Sequence, residues 1–207
     1  FTVTFGDTAA ARRACEHVRR RHAPVVGRYI DGHGVEREYS ANDPELLEWV
    51  HIAFTDAFLG AYEYVHGRLP DGGADTYVRE WAVAGELMGV QNPPRSVAAL
   101  RERLAAYDDG ARLAHSPALD EVVGFLRQLP LDPLLVPGYQ TLFAAAVDSM
   151  TDRHIELLGL DKASLRHGVL PARPAAQVTL AVVRLALRGT GPSERAARRR
   201  LSRLGLD

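Results

Sequence analysis

Apolar residues recur at three-and-four spacing along most of this chain, and a chain patterned in that way buries its side chains by packing helices on one another. From Thr8 to His22 the stripe is Ala11, Ala14, Cys15 and Val18; Gly6-Asp7-Thr8 supplies an N-cap, and Pro24 ends the helix. Asn42-Asp43-Pro44-Glu45 then gives a cap residue, a proline at the first helical position and an acid in the first turn, and a long helix to about Val65 follows. Further helices are expected over Ala74–Met88, stopped by Gly89, and over Arg95–Tyr107, Ser116–Gln128, Tyr139–Leu158 and Ala175–Leu187. The chain closes on a basic segment, Pro192–Leu204, carrying Arg195, Arg198, Arg199, Arg200 and Arg203. Strand character is confined to Val25–Tyr39, where Asp31-Gly32-His33-Gly34 separates two short β-prone runs as in a hairpin. The expectation is therefore an all-α fold, a single multi-helix domain over residues 1–207 with one small β-hairpin between the first two helices.

Composition narrows the class of function. The chain has 207 residues, 46% of them hydrophobic and 25% charged, enough for a real core and unlike disordered, collagen-like or disulfide-scaffold proteins. One cysteine forbids an internal disulfide. Cys15 sits on the buried stripe, where packing is the expected role, and a lone thiol fits a reducing, cytoplasmic interior. Lys and Arg number 25 against 26 Asp and Glu, a net charge of -1, so nucleic acid is not an expected partner in spite of the arginine-rich end. Gln140 and Asp148 interrupt the longest apolar candidate and Arg184 the next, so no membrane span is expected. The sequence opens at Phe1 inside an apolar stretch, Phe1-Thr2-Val3-Thr4-Phe5, with no signal-peptide pattern, and reads as a fragment lacking an N-terminal portion.

Several chemistries drop out for want of a motif: no glycine-rich phosphate loop with a following lysine, no nucleophile elbow, no zincin helix and no Cys-x-x-Cys occurs. Lys162 is the only lysine, and its polar loop setting argues against Schiff-base chemistry. Histidines are more informative. His22 lies four residues after Val18 and so continues the buried stripe, whereas His17 falls among Arg13, Arg20 and Arg21 on the wet side. On the long second helix Leu47, His51, Phe54 and Phe58 share one face, so a second histidine rides on a core stripe. Spacing leaves two roles open for both rings: a core imidazole satisfied by a carbonyl or carboxylate, or a ligand. A closed zinc site is not expected, since neither histidine has a cysteine or compact carboxylate set nearby. A haem pocket needs one neutral imidazole, an apolar slot and donors for the propionates. This chain has candidates for all three, with Arg20, Arg21 and Arg28 as possible carboxylate partners. Trp81, Met88 and Phe125 are expected in the core.

The run Phe5-Gly6-Asp7, the arginine-rich helix ending Arg21-His22-Ala23-Pro24-Val25-Val26-Gly27, and Tyr39-Ser40-Ala41-Asn42-Asp43-Pro44-Glu45-Leu46-Leu47-Glu48-Trp49-Val50-His51 resemble the rubber oxygenase (latex-clearing protein) and MpaB-type oxygenase family. Tyr77 to Val90, with Glu80 and its Leu87-Met88-Gly89-Val90 ending, is similar to the family's third helix; from Pro93 onward the likeness is one of helical pattern. The resemblance implies an all-α domain that binds haem b through one histidine, with relatives that use dioxygen to cleave carbon-carbon double bonds of isoprenoid chains. It maps the axial, iron-binding histidine onto His22, its other nitrogen held by a carbonyl or carboxylate. His51 takes a pocket role, with Arg21 and Phe54 also facing the cofactor. The substrate implied is small and apolar. The family's distal arginine and threonine motif would lie upstream of Phe1. A non-catalytic haem- or ligand-binding helical protein is the alternative, and the oligomeric state is left open.

Overall fold

The computed structural model describes residues 2–31, 33–109, 112–161, 171–187, 189 and 191–205; Lys162 lies outside them. Among the described residues the elements run α1 (Thr2–Phe5), α2 (Thr8–His22), β1 (Val26–Ile30), β2 (Glu36–Ser40), α3 (Pro44–His66), α4 (Gly73–Met88), α5 (Val97–Asp109), α6 (Pro117–Arg127), α7 (Val136–Ser149), α8 (Asp152–Leu157), α9 (Ala172–Ala186) and α10 (Pro192–Leu204). The fold is all-α, and the one sheet among the described residues is the antiparallel hairpin β1-β2, in register Val26↔Ser40 to Ile30↔Glu36. That hairpin joins the two long helices as expected; the additional turn α1 precedes them both.

Side chains set most helix starts. Asp7 accepts from the Ala10 amide at 2.7 Å to open α2, and Asp43, just before Pro44, accepts from Glu45 at 2.9 Å to open α3. Ser96 and Ser116 do the same for α5 and α6. α4 stops where Gly89 turns into the left-handed region, φ 102°, a conformation a side chain would strain.

Three boundaries depart from the sequence reading, the first being the start of α7 at Val136 rather than Tyr139, with Pro137 in its first turn. The helix expected over Tyr139–Leu158 is broken at Met150, because the Thr151 hydroxyl accepts from the His154 amide and starts α8 afresh. Helix α9 begins at Ala172 rather than Ala175: Pro174 sits in its first turn, where a missing N–H breaks no intrahelical bond.

The chain divides into two compact units. The first comprises Phe1–Asp56, Pro70–Ala106 and Arg188–Asp207. In it α2 packs on α1 and α4, and α10 packs on α1. Its core holds Ala11, Cys15, Leu47, Ile52, Thr55, Val78, Ala82, Val90 and Leu100. Asp75 of α4 reaches across to accept from the Val97 amide at 2.7 Å, tying α4 to the start of α5, and Arg103 pairs with Glu48 of α3. The second unit comprises Ala57–Leu69 and Tyr107–Leu187. There α7 packs on α9 around Val147, Ala145 and Ala176, and the end of α3 is held by Tyr64 donating to Asp148 (2.6 Å) and Gln177 donating to the Val65 carbonyl (2.7 Å). Arg153 donates to Asp108 from α8 at 3.1 Å. Phe125, expected in the core, is exposed on α6. None of the described helices is long and apolar enough to cross a membrane.

Candidate functional site

The polar chemistry that the chain leaves unfinished lies in the first unit. Among the described residues, buried side-chain atoms without a hydrogen-bond partner are His22 Nδ1, Asn42 Oδ1, His51 Nε2 and the Tyr77 hydroxyl. Folded proteins pair nearly all such atoms with protein, water or a ligand, so orphans drawn from α2, α3 and α4 of one unit mark where a further group would be welcome.

His22 is the last residue of α2. The stripe that carries it is buried at Ala11 and Cys15 and opens at Val18, so the ring is half-buried, with Nδ1 sealed from solvent. Spacing predicted an inward His22 and a wet His17, and His17 is exposed. Burial at the end of α2 excludes water from Nδ1 without bringing an acceptor or donor to it. Around His22 the backbone is well tied. Its carbonyl accepts from Val25 at 2.9 Å, Ala41 donates to the Val25 carbonyl at 2.9 Å, and the hairpin between them returns the chain to α3. Asn42 then donates through Nδ2 to the Arg19 carbonyl at 3.0 Å, satisfying an end carbonyl of α2. In the sequence Asn42 looked only like a capping residue; Asp43 does the capping, and Asn42 ties the start of α3 to α2.

His51 is 7% exposed and lies against Gly85 of α4: a Cβ placed on that glycine would come within 2.8 Å of both Cε1 and Nδ1 of the ring. Burial holds this imidazole below its ordinary pKa, so it is neutral at pH 7. Thr55, one turn on, donates its hydroxyl to the His51 carbonyl at 2.6 Å and is itself fully buried. That arrangement overturns one expectation about α3. Phe54 and Phe58 are 54% and 53% exposed, because the buried face follows Leu47, His51, Ile52, Thr55 and Leu59, turned away from the aromatic pair toward the four-residue series. Phe54 thus lies on the exposed side of α3.

Two further residues had no sequence signal of their own. Tyr77 stacks on Trp81 (centroids 6.4 Å apart, planes 11°), and burial pushes its phenol up to about 12. Gly85 is visible only once α3 and α4 are packed. Among the arginines, Arg21 is exposed at the end of α2, whereas Arg28 lies between Glu36 (3.7 Å) and Glu38 (3.3 Å) of the hairpin and is drawn away from any carboxylate ligand.

The described residues contain no group of three or more His, Cys, Asp and Glu side chains able to hold a bare metal ion. An iron porphyrin asks less of the protein, one imidazole with a free nitrogen, and the sealed, partnerless Nδ1 of His22 together with a neutral His51 fits that demand. No curated protein and no solved structure matches this chain. Residues 1–185, running through both compact units, match the family model described as the catalytic domain of the ER-bound oxygenase mpaB/B' and rubber oxygenase. This chain therefore belongs to the mpaB and rubber oxygenase catalytic-domain family, a family of oxygenases.

Proposed function

We propose that this domain is a haem b-dependent oxygenase that acts with dioxygen on a small apolar, unsaturated substrate of isoprenoid type, and that His22 would hold the haem iron. The observation that carries the reading is the buried ring nitrogen of His22, which no protein group satisfies, in a chain of an oxygenase family. When bound, haem would supply the redox chemistry that activates dioxygen. The chain's own residues then have distinct tasks. His22, fixed at the end of α2 by the Val25 and Asn42 hydrogen bonds around it, would hold the iron through a ring nitrogen. Arg21 would meet a propionate by charge-assisted hydrogen bonds. Phe54 walls the slot, and the neutral ring of His51, immobilised on Gly85, keeps the pocket uncharged and dry. The two compact units are read as parts of one catalytic domain, since the family match runs through both. The free, buried thiol of Cys15 accords with a cytoplasmic setting.

The test is spectroscopic. Adding haem to the purified chain should give a Soret band characteristic of histidine ligation, and His22→Ala should abolish or shift it; an unchanged spectrum in the variant removes His22 as ligand. Oxygen consumption with isoprenoid substrates then separates an oxygenase from a haem-binding protein without turnover.

A further inference from the structure

The hairpin of the first unit has two outer edges, and they are not alike. Ala41 donates to the Val25 carbonyl and Asp31 to the Val35 carbonyl, both at 2.9 Å, so the pairs that exchange hydrogen bonds inside the hairpin are those of odd-numbered residues. The amides and carbonyls of Val26, Arg28 and Ile30 on β1, and of Glu36, Glu38 and Ser40 on β2, therefore point away from the partner strand. The β2 edge is blunted: two glutamates line it, and the Ser40 carbonyl already accepts from Asp43 at 2.8 Å. On β1 none of the outward groups meets another described residue, and no third strand among the described residues joins the sheet.

Side chains leave the β1 edge open as well. Val26 and Ile30 are 67% and 72% exposed. Arg28, between them, leans over β2 with its guanidinium 3.3 Å from Glu38 and 3.7 Å from Glu36, so its charge is matched within the hairpin and lies away from the edge. Unpaired main-chain groups beside apolar side chains are a template for another strand. The pattern on the edge selects which one. Val26 and Ile30 stand two residues either side of Arg28, so a second β1, antiparallel about a two-fold axis at Arg28, sets Val26 opposite Ile30 twice and Arg28 opposite itself. Each facing pair then exchanges two hydrogen bonds, apolar side chains meet apolar ones, and each arginine keeps its own glutamates. A charged strand from another protein would find nothing here to match, because the one charge on the edge is already paired.

We infer that two copies of this chain associate through β1, their hairpins joining edge to edge in one four-stranded antiparallel sheet about Arg28. The inference is independent of haem binding and of the reaction. Three facing residues a side fall well short of the roughly 20–30 that a standard interface uses, so the dimer is expected to be reversible. Sedimentation equilibrium of the full chain from about 1 μM to about 1 mM tests it, and a dimer that grows with concentration and goes no further is expected. Arg28→Pro removes both N–H donors of the central pair while leaving the hairpin's own ladder, in which the Arg28 amide takes no part; it should weaken dimerisation on the order of thirtyfold. Ile30→Lys sets a cation against Val26 at two places and should weaken it about tenfold. Val182→Lys, the same charge on an exposed valine of α9 in the second unit, should leave it within about twofold. Circular dichroism checks that each variant folds; if Arg28→Pro does not, Ile30→Lys and its reciprocal Val26→Lys carry the test. A chain that stays monomeric throughout, assembly that grows past the dimer, or a dimer weakened by Val182→Lys and untouched by the β1 variants would each overturn the inference.

Discussion

Replacing Gly85 with alanine tests whether the ring of His51 is held where the packing of α3 on α4 puts it. The added Cβ would meet Cε1 and Nδ1 at 2.8 Å and Nε2 at 3.0 Å, where ordinary van der Waals contact begins at 3.4 Å. The ring has little room to retreat, because Ile52, Thr55, Val78 and Ala82 are all 0% exposed. Overpacking of such a core costs about 1–3 kcal/mol, and the better helix propensity of alanine returns about 1 kcal/mol, so the net effect runs from about zero to a loss of about 2 kcal/mol. Gly60→Ala, in the interior of α3 with nothing within 4 Å of its would-be Cβ, is the matched control and should gain about 0.5–1 kcal/mol. Urea unfolding followed by tryptophan fluorescence measures both. In a His51→Ala background the penalty of Gly85→Ala should vanish, giving a coupling energy of about 2 kcal/mol. If Gly85→Ala stabilises the wild type as much as Gly60→Ala does, the ring is not wedged against α4 and the account of His51 given above fails.

His51 also carries a pH signature. Its folded pKa lies below the ordinary imidazole value, so between those two pKa values the unfolded chain binds the extra proton. Stability is therefore complete above about pH 6.5 and declines as the pH drops from there toward the folded pKa; the urea midpoint of wild type should fall across that window more steeply than that of His51→Gln, and parallel profiles would contradict it. Asp7→Ala removes the acceptor of the Ala10 amide at the start of α2 and should cost about 1 kcal/mol, read as a lower melting temperature that Asp7→Ser largely restores. Tyr64→Phe deletes the 2.6 Å hydrogen bond to Asp148 and should cost the second unit about 1 kcal/mol. Because burial first and Asp148 second raise the Tyr64 phenol, ultraviolet titration of wild type should show one more tyrosine ionising well above the ordinary phenol range, besides Tyr77, than Tyr64→Phe does.

Local chemistry was legible wherever it acts within a few residues. Asp7, Pro44, Ser116 and Gly89 set helix ends that the structure keeps within two residues of expectation, and the hairpin falls where Asp31 and Gly34 turn the chain. The break between α7 and α8 was missed because the apolar spacing of Ala145, Val147 and Ile155 runs across it, while the cap that makes it is a single threonine. The site was legible only in part. Stripe continuity was enough to turn His22 and His51 inward, but the direction in which α3 is buried depends on its neighbours, and those neighbours move Phe54 and Phe58 outward. Gly85 against His51 and Asn42 against Arg19 are contacts between residues 34 and 23 positions apart, and neither leaves a periodic trace.

The hairpin between α2 and α3 is fastened independently at its two ends. At the base, the Val26↔Ser40 pairing and the Ala41 to Val25 bond fix where the strands leave the helices. At the tip, Asp31 gathers the His33 and Val35 amides and the Arg37 guanidinium onto one carboxylate. Lengthening the chain between His33 and Gly34 would alter only the second fastening. A peptide epitope or a fluorescent reporter grafted at that point would ride on the outside of the protein while the geometry around His22 stays in place, which makes the tip a natural attachment point for engineering.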